Sequence, residues 1–261
     1  MSGNPGRAGR VVIVTGGTRG VGRGISQAFL DDGAEVVTWA RRPPDAPIVS
    51  ADGARTASYR EVDLRDVDAT AAAVDAAVEE LGRIDVFVNN AGGSPPADSA
   101  TASPRFTTSI VNLNLIVPLV CAQQANAVMQ AQDDGGSIIN IASVSAIRPS
   151  PNTVAYGAAK AGLVNATTTL AVEWAPKVRV NAVIAGLVET EQSHLFYGDD
   201  DGVAAVGRTI PVGRMAVPGD IGNACVFLAS DAASYVNGSA LLVHGGGELP
   251  AYLDAAKTTG D

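Results

Sequence analysis

Short apolar, β-branched runs recur along the chain, separated by longer alanine-rich stretches: Val11 to Thr15, Val36 to Trp39, Val86 to Asn89, Ser137 to Ile141, Val178 to Val183 and Leu241 to Val243. This alternation predicts βαβ units around a parallel sheet. Between the first two runs Val21, Ile25, Ala28 and Phe29 recur at helical spacing, and Gly33 supplies a stop. That segment is the first crossover helix. The Pro-rich piece Arg42 to Pro47 reads as a surface loop, too short to divide the chain. Glu191 to Arg208, with the acidic patch Asp199 to Asp201 inside it, is a longer break before the Pro211 turn and is expected to be a lid-type loop. No solenoid period is visible. The expected organisation is a flexible N-terminus at 1–8, one domain over 9–247 and a tail at 248–261.

Composition agrees with a compact fold: 261 residues, 46% hydrophobic, 17% charged, mean hydropathy +0.17. A net charge of -9 and a pI near 4.7 argue against a nucleic-acid partner, whose phosphates need clustered Lys and Arg. Cys121 and Cys225 lie far apart with no C-x-x-C, so they read as core residues rather than disulfide or thiolate metal ligands. His194 and His244 form no metal motif, and no metal site is expected. No Gly-x-Ser-x-Gly elbow or Gly-Lys-Ser/Thr loop is present. The pairs Asp31-Asp32, Glu79-Glu80 and Asp133-Asp134 are expected to face solvent. No apolar run approaches a bilayer span, and the N-terminus lacks a signal-peptide core; the expectation is a cytoplasmic protein with no membrane partner.

The candidate chemistry lies at the ends of the runs. Thr15-Gly16-Gly17-Thr18-Arg19-Gly20-Val21-Gly22 follows the first run and leads into the helix. Glycines there permit a tight turn, bring backbone N–H groups close to a pyrophosphate and let the helix pack on the sheet, while the helix N-terminus favours the anion. Further on, Tyr156 and Lys160 stand at i and i+4 of an Ala-rich stretch, so they share a helix face. A phenol titrates near 10, and an adjacent ammonium favours its ionised form. Ser143, at the end of the preceding run, could hydrogen-bond a reacting oxygen.

These residues and their spacing resemble the short-chain dehydrogenase/reductase family, in particular its single-domain 3-oxoacyl-(acyl carrier protein) reductase-like members. The resemblance runs from Gly9 to Gly247 and includes the Gly-x-x-x-Gly-x-Gly turn, Asp63 in Val62-Asp63-Leu64, Asn89-Asn90-Ala91-Gly92, Asn114-Leu115-Ile116, Ser143 and Tyr156-x-x-x-Lys160. It continues through Arg179-Val180-Asn181-Ala182, Gly186 to Thr190, Pro218-Gly219-Asp220-Ile221 and Phe227 to Ser230. It implies a Rossmann-like, doubly wound α/β fold of about seven parallel strands with ligands at their carboxyl ends. It implies an NAD(P)(H)-dependent oxidoreductase that interconverts a ketone and a secondary alcohol. Tyr156 would be the general acid/base and Ser143 would polarise the carbonyl. Lys160 would bind the nicotinamide ribose and lower the phenol's pKa, and Asn114 would hold a relay water, with Asn112 a weaker competitor. Gly16, Thr18, Arg19, Gly20, Val21, Arg41, Asp63, Leu64, Asn90, Gly92, Val188 and Thr190 would line the cofactor, with Asp63 near the adenine and Val188 and Thr190 near the carboxamide and a phosphate. A homotetramer or dimer is also implied.

NADP(H) is the expected cofactor, with NAD(H) possible, because Ala40 stands where NAD-preferring relatives often carry Asp and Arg41, Arg42 and Arg19 can meet a 2′-phosphate. The chain departs from the family pattern at Ala185, usually Pro, at the missing Gly between Lys177 and Val178, and at His244, often acidic and read as structural. His194, Leu195, Phe196 and Tyr197, with Gly93-Ser94-Pro95-Pro96, suggest a partly apolar substrate pocket with no charge clamp. An acyl thioester, a steroid-like ketone or a small alicyclic alcohol would fit it. Two other readings stay open: a nucleotide-binding sensor or scaffold without turnover, and a non-redox lyase or epimerase.

Overall fold

The computed structural model describes residues 9–256; the flexible stretch expected at 1–8 and the end of the tail lie outside the described residues. In chain order the elements are β1 Val11–Thr15, α1 Gly20–Asp31, β2 Glu35–Ala40, β3 Ser58–Glu61, α2 Val67–Leu81, β4 Val86–Asn89, α3 Pro104–Val111, α4 Val117–Ala131, β5 Gly136–Ser143 and α5 Val154–Trp174, followed by β6 Val178–Ala185, α6 His194–Tyr197, α7 Asp200–Arg208, α8 Pro218–Ala229, β7 Ala240–Val243 and α9 Ala251–Ala255. The strands form one seven-stranded sheet in the order β3-β2-β1-β4-β5-β6-β7. Every pair is parallel, with Val12 beside Val36 on one side and Val86 on the other.

Every predicted run is a strand, because its apolar side chains face helices on both sides of the sheet. Ile13, Val37, Trp39, Phe87, Ile138 and Val180 pack against α2, α4 and α5. Val12, Val14, Val36, Val86, Ile139 and Val183 pack against α1 and α8. Trp39 and Phe87 meet edge to face at 5.5 Å, a geometry worth roughly 0.5–1.5 kcal/mol beyond area burial. The two cysteines are buried in opposite layers, as expected of core residues, and burial pushes the Cys121 thiol up to about 12. Close packing of α1 on α8 depends on Gly24: a Cβ there would lie 2.3 Å from Pro218 Cβ.

The structure departs from the sequence expectations in four places. β3, Ser-Tyr-Arg-Glu, has no apolar run to read because it is an edge strand held only by β2. The expected lid loop at 191–208 is largely helical: Asp199 caps α7 by accepting from Gly202 N at 3.0 Å, so the acidic patch is a helix start. Of the acidic pairs expected to face solvent, five of the six residues do, and only Asp32 is half-buried, paired with Arg10 at 3.2 Å. Finally, α3 and α4 join through a π turn at Asn112–Ile116 into a 28-residue helical stretch, Pro104–Ala131, long and apolar enough to cross a membrane by length and composition. Its Val117, Cys121, Ala125 and Met129 are buried in the layer against the sheet, so one face of the stretch belongs to the core.

Candidate active site

In this strand order the direction in which successive strands are laid down reverses between β1 and β4, and the carboxyl ends of these parallel neighbours open a crevice at the switch point. Thr15, at the end of β1, stitches its two walls together. Its hydroxyl donates to Val88 O at 3.1 Å and accepts from Asn90 N at 2.9 Å and Ala91 N at 3.0 Å. Asn90 returns the contact by donating from Nδ2 to Thr15 O at 2.9 Å. The Gly-rich turn is pressed against this pair: a Cβ on Gly22 would lie 2.1 Å from Gly16 O and 2.5 Å from Asn90 Nδ2. Arg19 occupies the N-cap of α1 with extended backbone and no side-chain cap, which leaves the first-turn N–H groups available to an anion. The turn therefore fits a dinucleotide phosphate.

Two cavities meet at this turn. One, of about 410 Å³, is bordered by Gly20, Val21, Asn90, Ser143, Tyr156, Lys160, Val188 and Thr190. The other, of about 440 Å³, is bordered by Thr18, Arg41, Asp63 and Leu64. Gly16, Arg19, Ala91 and Gly92 border both, so the two form one groove. Every residue the sequence nominated for catalysis or for the cofactor lines it except Asn114, which lies directly behind. Asn114 is fully buried on the π turn. Its Nδ2 donates to Ile110 O and Gly93 O, both at 2.9 Å, and its Oδ1 accepts from Gly93 N at 2.9 Å. Asn112 is only half-buried, so the π turn selects Asn114 to anchor the Gly92–Gly93 wall.

Tyr156 and Lys160 sit one turn apart on α5, facing Ser143 at the end of β5. A buried amide chain fixes α5 on the sheet: Asn89 Nδ2 donates to Asn140 Oδ1 and Asn140 Nδ2 to Thr167 Oγ1, both at 2.9 Å. The Lys160 ammonium, 3% exposed, donates to Ile141 O at 2.7 Å and lies 5.7 Å from the Tyr156 ring centroid. Burial lowers its pKa to about 8. Burial likewise raises the Tyr156 phenol, and contact with the Ser143 hydroxyl pulls it partway back. Ser143 Oγ accepts from Ser145 N at 3.2 Å, so its own proton remains available to a substrate oxygen.

The buried ammonium has a measurable cost. A folded-state pKa near 8 against an ordinary 10.5 means that the fold disfavours the protonated lysine. The penalty is full below about pH 8 and fades as pH rises through 10.5, above which the lysine is neutral folded or unfolded. Lys160→Met is therefore expected to stabilise the unliganded protein at pH 7 by about 1–3 kcal/mol. Denaturant titrations of both proteins at pH 7 and above pH 10 test this. Destabilisation at pH 7 would show that the bond to Ile141 outweighs burial.

At the other end of the groove Ala40 closes β2, and Arg41 and Arg42 are exposed on its rim without an ion pair among the described residues. Asp63 is gripped by Arg65, whose Nε and Nη2 donate to its two oxygens at 2.9 and 2.5 Å, holding the carboxyl at about 2. Arg65 also borders the groove, and sequence reading missed it. Its spacing of two residues from Asp63 at a strand end was the available signal.

On the far side of Ser143, Ala185 simply extends β6, with Gly186 N donating to Val243 O at 2.9 Å. His244 is half-buried, its backbone so close to Gly186 that a Cβ there would lie 2.7 Å from His244 Cα. Leu195 and Phe196 face solvent, whereas Tyr197 packs with Leu187 and Ile210. Outside the groove, Arg148 pairs with Glu248 from the chain's C-terminal segment, and the neighbouring Tyr197 phenol is raised chiefly by burial. The partners are a hundred residues apart, so no local pattern announces them.

Comparison with known proteins agrees with this geometry. A family profile described as enoyl-(acyl carrier protein) reductase matches residues 16–248. The chain is 36% identical over 241 residues to the 2-dehydro-3-deoxy-D-gluconate 5-dehydrogenase of Escherichia coli (strain K12), covering 91% of this chain and 95% of that one. It is 35% identical over 251 residues to the 3alpha-hydroxysteroid dehydrogenase of Mediterraneibacter gnavus, covering 90% and 96%. Among solved structures, ligand-free aldohexose dehydrogenase of Thermoplasma acidophilum superposes with a TM-score of 0.85 at 29% identity, covering 98% of each chain. With relatives of this identity spanning nearly its whole length, the chain belongs to the short-chain dehydrogenase/reductase family and is an NAD(P)(H)-dependent oxidoreductase of carbonyl and alcohol substrates.

Proposed function

We propose that the chain interconverts a small hydroxylated ketone and its secondary alcohol with NADP(H), using Tyr156 as the general acid/base. The observation that carries this reading is the convergence of Ser143, Tyr156 and Lys160 beside the Gly-rich turn, at the carboxyl ends of adjacent strands. The nicotinamide, when bound, supplies or accepts the hydride at the carbonyl carbon. Ser143 donates its proton toward the substrate oxygen and aligns it. Tyr156 gives its phenolic proton to that oxygen during reduction and recovers it during oxidation. Lys160 spends one donor on Ile141 O, leaving two N–H groups for ribose hydroxyls, and while protonated its charge favours ionisation of the phenol. Asn114 has committed both amide protons, so a relay water would donate to its oxygen.

One observation favours a hydroxylated substrate over an acyl thioester or steroid-like ketone. Two of the proteins named above act, by their names, on a sugar acid derivative and an aldohexose. The hydroxysteroid enzyme keeps steroids in the test. We place the protein in the cytoplasm as a homotetramer or dimer. A panel of sugar-derived, steroid and acyl-thioester carbonyls, followed by nicotinamide absorbance with NADPH and NADH, is expected to give turnover on the first class. No turnover on any class would favour a nucleotide sensor. Product without nicotinamide oxidation would favour a lyase or epimerase.

A further inference from the structure

Arg19 borders both halves of the groove, yet its guanidinium is already engaged: Nη2 lies 2.9 Å from Asp45 Oδ1. Asp45 belongs to the loop between β2 and β3, where Pro43, Pro44 and Pro47 stiffen the chain. Arg23, on the first turns of α1, bolts this loop down by donating to Ala46 O at 2.9 Å and Pro47 O at 3.2 Å. Ile48, at the loop's end, is buried in the core. Asp45 is therefore carried on a short rigid strap fixed to the helix whose N-terminus faces the groove. Of the guanidiniums on the adenosine side, Arg65 is taken by Asp63 and Arg19 by Asp45, while Arg41 and Arg42 have no ion-pair partner among the described residues.

We propose that Asp45 sets cofactor specificity as an internal competitor, holding Arg19 against the strap so that a ribose phosphate must displace a carboxylate to gain that guanidinium. The inference rests on the NADP(H) reading above. A nucleotide without the extra phosphate has no use for Arg19 on that side and is indifferent to the latch. The strap thus weakens NADP(H) selectively and narrows the gap between the two cofactors.

Adenosine 2′,5′-bisphosphate and 5′-AMP isolate this contact from the chemistry, and calorimetry on the full chain reads their affinities directly. Asp45 is a solvent-exposed loop residue, so Asp45→Asn leaves the fold intact. The pair is exposed and screened, so Asp45→Asn is expected to tighten the bisphosphate by about three- to fivefold and leave 5′-AMP unchanged. In an Arg19→Gln background the gain shrinks, because the competitor has nothing left to hold. Unchanged or weaker bisphosphate binding in Asp45→Asn overturns the proposal, as does equal tightening of both ligands or a gain at least as large without Arg19. A wild type that binds the bisphosphate no tighter than 5′-AMP would defeat the NADP(H) reading instead. An Arg19-dependent gain in Asp45→Asn would still uphold the latch.

Discussion

Tyr156→Phe is expected to lower kcat by roughly 10²- to 10⁴-fold, the usual contribution of a positioned general acid/base, while nucleotide affinity stays within about twofold. The substitution removes one oxygen and leaves the ring between Ser143 and Lys160. Lys160 keeps its bond to Ile141 O and its free donors, so the groove that would hold the ribose is unchanged. Steady-state kcat and a calorimetric nucleotide Kd separate the two effects, and retention of more than about a tenth of wild-type kcat would remove Tyr156 from its role. The pH profile gives a second readout. Burial holds the phenol above its ordinary value, so alcohol oxidation, which needs the phenolate, rises toward alkaline pH, whereas ketone reduction, which needs the phenol, is fully supported at neutrality. Both limbs should vanish in Tyr156→Phe.

The wild type is expected to favour NADPH over NADH by about tenfold or more in kcat/KM, and Ala40→Asp combined with Arg41→Ile to move the preference toward NADH. Ala40 ends β2 at the groove with no carboxylate to accept ribose hydrogen bonds or repel a 2′-phosphate. Arg41 and Arg42 stand on the rim with their guanidiniums unpaired among the described residues, and one charge-assisted hydrogen bond contributes roughly 1.5–3 kcal/mol, enough for a tenfold difference. The double variant supplies the carboxylate and removes one guanidinium together. An NADH preference in the wild type, or a variant whose ratio does not move, refutes the assignment.

Much of this was legible along the chain. The apolar runs that became β1, β2, β4, β5, β6 and β7 announce themselves because a strand buried on both faces must be apolar at nearly every position. The Gly-rich turn is legible because only glycine permits the approach seen at Gly22, and Tyr156 with Lys160 because helix geometry alone brings i and i+4 together. β3 was not, since an edge strand with polar side chains carries no periodic signal. The choice of Asn114 over Asn112 depended on a π turn that rotates one amide into the core, and local spacing treats the two alike. Arg65 on Asp63, Arg148 on Glu248 and Arg19 on Asp45 are contacts whose strength depends on distance and solvent exposure. Residue order determined which groups reach the strand ends; only the packing of strands, helices and loops decided which charges meet there, because a charge pairs with what lies near it in space.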